Sequence, residues 1–278
     1  MHDAGTGASF AHKPENSIIR VTSRDGTQIA VECAGAGPTL VIIHGGIGDR
    51  TRWKPLFPLF ASRFTVCAMD RRGHGESGDS PDHDLQKEAE DVAAVVNSQP
   101  QPVYLLGHSY GGVCALEAAF LTDKISKLVL YEPPLQELID PAVVARMESM
   151  IRAAEREQAL VIFQREIVMI APSEIDSMRA RPSWPRQVAG IESSLRQIRA
   201  LSEYRFDPKR ASTLNVPTLL LAGSETASPQ LKRAIDGLLD SLPNGSLFVF
   251  EGQQHNAMDT VPQQFAKTVT DFLIGGSE

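Results

Sequence analysis

The chain has 278 residues, 42% of them hydrophobic and 22% charged, a balance that suits a folded globular core and excludes a disordered or fibrous chain. Its net charge of −7, with no Lys/Arg cluster beyond Arg71-Arg72, offers nothing to attract a phosphate backbone or an anionic bilayer, so neither nucleic acid nor membrane is expected as a partner. No apolar run reaches the length of a signal-peptide core or a bilayer span, and the expected location is the cytoplasm.

Residues 1–16 read as a mobile N-terminus. Ser17 to Thr22 and Thr27 to Ala34 then read as two strands of a hairpin that turns at Asp25-Gly26. Short apolar runs follow at 39–43, 64–69, 103–106, 127–131, 217–222 and 246–250. Runs that are apolar without alternation suit strands covered on both faces, as in a parallel sheet. Helical candidates at 85–97, 111–121, 229–242 and 262–273 lie between them, the order of right-handed βαβ crossovers. The expected class is therefore α/β, a mostly parallel twisted sheet with helices on both faces.

The alternation breaks between Tyr131 and Val216, where helical periodicity runs over 142–170 and 187–203 without a convincing strand. Residues 134–210 are predicted to be a helical cap inserted into a core formed by 17–133 and 211–278. Within the cap, Ile162, Phe163, Ile167 and Met169 are candidates to line an apolar pocket, although helix-spaced apolar residues more often simply pack. Cys33, Cys67 and Cys114 each sit in an apolar run with no C-x-x-C spacing. They read as buried free thiols, with neither a disulfide framework nor a metal site expected.

The chemistry begins at Gly107-His-Ser109-Tyr-Gly111, a G-x-S-x-G motif that follows the run 103–106 and opens a helix. A strand-to-helix turn this tight lifts Ser109 above the carboxyl edge of the sheet as a candidate nucleophile. His44-Gly-Gly46-Ile47-Gly48, after the third strand, supplies backbone N–H groups where an oxyanion would form. Gly46 is the preferred donor over Ile47, and the second donor is Tyr110, the residue after the nucleophile. A serine needs a base, and of the seven histidines only His255 stands in the loop beyond the last apolar strand, facing the serine across the sheet end.

These residues resemble the α/β-hydrolase superfamily, as does Asp70-Arg-Arg-Gly-His-Gly-Glu-Ser77, which looks like that family's D-x-R-G-x-G-x-S turn and is expected to be structural. The resemblance implies an α/β-hydrolase fold and carries the roles of nucleophile, base and oxyanion donors onto Ser109, His255, Gly46 and Tyr110. The triad acid departs from the common pattern. Where many members have aspartate in G-x-x-D, this chain has Gly223-Ser-Glu225-Thr226. A carboxylate at the end of the neighbouring strand, Glu132 in Tyr131-Glu-Pro-Pro134, is favoured over Glu225, a placement similar to that of zearalenone lactonases. The same resemblance makes Trp184, in a proline-marked segment not expected to be regular helix, a substrate-facing candidate alongside Ile47. Ordinary packing is an equal reading of Trp184.

The expected activity is hydrolysis of a carboxylic ester or lactone of a small apolar molecule through an acyl-enzyme, with no cofactor and no metal. Thioesterase, C–C hydrolase, perhydrolase and hydroxynitrile lyase activities suit the same fold, and a ligand receptor is the non-enzymatic rival. The expected partner is the small-molecule substrate, and the sequence leaves room for a homodimer.

Overall fold

The computed structural model describes residues 13–135 and 139–275. Among them eight strands form one sheet: β1 (Lys13–Thr22), β2 (Gln28–Gly35), β3 (Thr39–Ile43), β4 (Thr65–Met69), β5 (Val103–His108), β6 (Ile125–Tyr131), β7 (Thr218–Gly223) and β8 (Gly245–Phe250), in the order β1-β2-β4-β3-β5-β6-β7-β8. β1 pairs antiparallel with β2, and β2 with β4; the remaining pairs are parallel. The reading of a mobile N-terminus falls mostly on residues 1–12, outside the described residues, and β1 begins at Lys13 rather than Ser17.

The core helices are α1 (Phe57–Phe60), α2 (Leu85–Asn97), α3 (Tyr110–Ala118), α10 (Pro229–Ser241), α11 (Ala257–Thr260) and α12 (Pro262–Ile274). They cover both faces, which is why the central strands are apolar at every position. In β3, Val41 and Ile43 pack with Leu85, Ala89 and Val113 of α2 and α3. The alternate residues Leu40 and Ile42 pack with Phe60, Phe64 and Phe265 on the opposite face. From β3 the chain crosses first to β4 on one side and then to β5 on the other. Such a reversal opens a crevice at the carboxyl ends of the strands, where α/β folds place their ligands.

Between β6 and β7 lies a helical insertion: α4 (Pro141–Arg152), α5 (Arg156–Ile162), α6 (Pro172–Arg179), α7 (Trp184–Ala189), α8 (Ile191–Glu203) and α9 (Pro208–Ala211). It has its own apolar cluster, including Met147, Leu160, Phe163, Trp184 and Ile191. The periodicity over 142–170 is not one helix. A turn with Ala154 at φ 63° separates α4 from α5, and a π-helical turn, Phe163–Ile167, follows. The period persists across these breaks because both helices face one core. Among the described residues no helix is long and apolar enough to cross a membrane.

Two sequence expectations need correction. Cys33 and Cys67 are not free thiols: they stand opposite each other on β2 and β4, with Cα atoms 4.1 Å apart, and form a disulfide, leaving Cys114 as a buried free thiol. Their pairing depends on strand register, which spacing along the chain does not carry. The segment around Trp184 is also helical after all, since α7 starts at Trp184 with Pro185 in its first turn, where a missing N–H costs nothing.

Candidate active site

Ser109 joins β5 directly to α3 with φ 54° and ψ −128°, a strained conformation for a residue with a side chain. The surroundings impose it: Ser109 N–H donates to Tyr131 O at 2.9 Å, tying the turn to the neighbouring strand. Glycine is required on both sides of the turn. A Cβ on Gly107 would lie 2.4 Å from Gly111 O, and one on Gly111 would lie 2.3 Å from His44 O. Tyr110 is the first residue of α3, so its N–H has no intrahelical acceptor.

One strand over, β6 ends at Tyr131 and Glu132 follows with φ 43°. The Glu132 carboxylate is buried and fully engaged. Its Oε1 accepts from Gly223 N–H at 2.8 Å and from Thr226 Oγ1 at 2.6 Å, and its Oε2 lies 2.5 Å from His255 Nδ1. Glu225, by contrast, is exposed, and its backbone N–H bonds Gln253 O. Of the two carboxylates weighed from sequence, Glu132 is thus the one at the histidine.

The His255 loop is pinned by residues that sequence reasoning did not single out. His108 Nε2–H donates to His255 O at 3.0 Å. Tyr131 O–H donates to Gln254 O at 2.5 Å and accepts from Ala257 N–H at 3.0 Å, so one hydroxyl holds the loop on both sides of His255. Burial pushes the His108 imidazole well below its usual pKa, and His255 beside it adds to the effect. It therefore stays neutral and keeps its single Nε2 proton on that carbonyl. The position of Tyr131 and His108 beside Glu132 and Ser109 in the sequence was the available signal, but side-chain direction was not.

Ser109, His255, Gly46, Ile47 and Tyr110 all line one cavity of about 260 Å³. The insertion contributes the apolar Phe163, Ile167, Met169, Met178 and Ile198 and the polar Gln187, Ser194 and Gln197 to its lining. Ile162, expected with them, is not among the lining residues. Arg52, paired with Asp259 at 2.8 Å, also lines the cavity, as do the exposed Glu174 and Arg181.

Trp184 lies elsewhere. It is buried in the core of the insertion, with Nε1–H donating to Glu157 Oε1 at 3.2 Å, and does not line the cavity. Its large apolar area is better buried among Met147, Leu160 and Ile191 than spent on a wall. Among the described residues no group of three or more His, Cys, Asp or Glu is placed to hold a metal ion.

Residues 40–268 match the family model described as the alpha/beta hydrolase family. The chain is 27% identical over 261 residues to a pimeloyl-[acyl-carrier protein] methyl ester esterase of Aeromonas hydrophila, covering 88% of this chain and 99% of that protein. It is 37% identical over 277 residues to an uncharacterized protein of Mycobacterium bovis, covering 89% and 79% respectively. A solved alpha/beta hydrolase from Sphaerobacter thermophilus superposes with a TM-score of 0.82 at 29% identity, covering 92% of this chain and 100% of that one.

Proposed function

The chain belongs to the alpha/beta hydrolase family and is esterase-like, and from that premise we propose that it is a serine hydrolase cleaving a carboxylic ester or lactone of a small, largely apolar molecule. The observation that carries the reading is the chain of contacts from Thr226 and Gly223 through Glu132 to His255 Nδ1, in the wall of the cavity that Ser109 also lines. With Nδ1 held by a carboxylate, Nε2 is the nitrogen available to take the Ser109 proton.

Ser109 Oγ attacks the carbonyl carbon as His255 Nε2 removes its proton. The oxyanion that develops is met by the N–H groups of Gly46 and Tyr110, the latter at the positive end of α3; each such donor is worth about 3 kcal/mol in the transition state. His255 returns the proton to the alkoxide as it leaves, and the acyl group stays on Ser109. Water, deprotonated by the same nitrogen, then releases the carboxylic acid. Glu132 holds the imidazole tautomer and stabilises the imidazolium. The apolar wall of Phe163, Ile167 and Met178 supports an apolar substrate portion, and Ile47 contributes beside the oxyanion donors. The reaction uses no metal and no cofactor. The named activity of the Aeromonas relative favours an oxygen ester over a thioester, nitrile adduct or diketone.

The test is turnover of a panel of aryl and methyl esters, macrocyclic lactones and acyl thioesters, with Ser109→Ala as the control. Ester or lactone turnover that disappears in the variant is expected. Turnover that survives in Ser109→Ala, or preference for thioesters, would overturn the mechanism or the substrate class respectively.

A further inference from the structure

We propose that Arg71 is a positioning residue that aims the oxyanion donors, and that helix α8 of the insertion completes the same clamp through Ser194 and Gln197. The inference rests on the reading of Gly46 as an oxyanion donor. It assigns a role to a side chain in the loop after β4, which the sequence marks only as a structural turn.

Arg71 is buried, and its guanidinium spans three consecutive carbonyls of the loop after β3. Nε donates to His44 O at 3.1 Å, and Nη2 donates to Gly45 O at 2.9 Å and to Gly46 O at 3.1 Å. Nη2 also reaches Gln197 Oε1 at 2.9 Å, while Nη1 pairs with Glu88 Oε2 at 2.8 Å. The backbone N–H of Arg71 donates to His44 Nε2 at 3.1 Å, so that ring carries its proton on Nδ1 and gives it to Gly45 O at 2.8 Å. From the insertion, Ser194 Oγ lies 3.0 Å from Gly46 O; its one proton is shared with Gly190 O at 3.1 Å. Gln197 is fixed in turn by His74, Nε2 to Nε2 at 2.6 Å.

The consequence follows from peptide geometry. In a trans peptide the C=O and the next residue's N–H lie in one plane and point in opposite directions. With Gly45 O turned to Arg71 and His44, the N–H of Gly46 is turned away from them. Gly46 O is held between Arg71, behind the cavity wall, and Ser194, which lines the cavity, so the next peptide is fixed from both sides. Neither Arg71 nor His44 lines the cavity, whereas Gly45, Gly46 and Ile47 do, as do Ser194 and Gln197 from the insertion, and a Cβ on Gly45 would stand 3.1 Å from Ser109 Cβ. The Gly45 carbonyl therefore points at side chains behind the cavity wall, and the Gly46 N–H, opposed to it, points to the side of the nucleophile.

The loop needs an external clamp because glycines at 45, 46 and 48 leave its peptides free to rotate, and an oxyanion site works only if its dipoles are fixed before the charge appears. Charge-assisted bonds from one planar fork meet that need, with Glu88 balancing the buried cation. Because Ser194 and Gln197 belong to α8, seating of the insertion and readiness of the oxyanion site are linked.

The experiment compares Arg71→Met/Glu88→Gln, Arg71→Lys and Ser194→Ala/Gln197→Leu with the parent protein. The readouts are kcat and KM on an aryl ester, inhibition by an aryl boronic acid that forms a tetrahedral adduct on Ser109, and thermal unfolding. The first variant is expected to lose about 10²-fold in kcat and in boronate affinity, with KM changed by no more than about threefold. Arg71→Lys, which keeps the charge but cannot span three carbonyls, is expected to recover about tenfold of that loss. Ser194→Ala/Gln197→Leu is expected to weaken boronate binding by about tenfold. If the first variant does not fold, Arg71→Lys decides: parental kcat and boronate affinity in a folded Arg71→Lys would overturn the proposal, as would parental values in either other variant. Failure of the serine mechanism itself reads out separately, as activity remaining in Ser109→Ala.

Discussion

Thr226 stands where the G-x-x-D pattern would put an aspartate, and its hydroxyl donates to Glu132, the carboxylate that faces His255. On the proposed mechanism the acid stands at the end of β6, and Thr226 beyond the end of β7 helps hold it. A buried carboxylate needs such donors, since an unpaired one would be costly to desolvate. Glu132→Gln keeps the shape but removes the charge and permits the wrong imidazole tautomer, so a loss of about 10³- to 10⁴-fold in kcat is expected. Glu225→Gln, altering an exposed side chain, should stay within about twofold. Steady-state kinetics on the best ester of the panel separates them, and equal retention of activity would remove Glu132 from the mechanism. At this scale Ser109 and His255 were legible because each is marked by its own local context: a glycine-flanked turn and a loop beyond the last strand. Trp184 was misleading because a proline-rich neighbourhood looks like a loop whether it faces substrate or packs in a helix's first turn.

The same contrast holds for elements. The strands and core helices follow from apolar runs and periodicity that each segment carries in itself, and α2 spans Leu85–Asn97 as the pattern predicts. The disulfide does not, because Cys33 and Cys67 are 34 residues apart and meet only through the β2–β4 register. Unfolded without reductant, the protein is expected to titrate one thiol, Cys114, and three with reductant. Closing a loop of that length should contribute about 3–4 kcal/mol, so reduction should lower Tm. Three thiols in the unreduced protein would show the pair open. The insertion was legible as helical matter between two strands, but its division into six short helices was not, since neighbours facing one core share one apolar phase.

For the whole molecule, the buried polar layer behind the site sets the response to acid. Burial and the neighbouring Arg71 push His44 well below its usual 6.5 and His74 to about 3, and His108 is likewise held neutral by burial. The unfolded chain takes up these protons near pH 6.5 while the folded one resists, so stability should be flat above that pH. Below it, stability should fall by up to about 1.4 kcal/mol per pH unit for each histidine. Burial alone would raise Glu88, but Arg71 and His83 hold it down at about 2, so its contribution is lost as pH falls from 4.5 toward 2, the same direction. Burial raises Asp70 and Asp91 from their lower starting point of 3.8, which acts in the opposite sense. Tm measured from about pH 8 to 5 should drop steeply below 6.5, with a shallower slope in His74→Gln; a flat profile would contradict the burial of neutral histidines.

The sequence by itself determined the α/β alternation, the helical stretch between β6 and β7, the strand-to-helix turn at Ser109 and the loop that carries His255, because glycine geometry and hydrophobic period act within a few residues. Only the tertiary structure decided which glutamate meets His255, which cysteines pair, where Trp184 is buried and what Arg71 grips. Those contacts join segments tens of residues or more apart, and their partners are set by strand order and helix docking rather than by anything the separate segments contain.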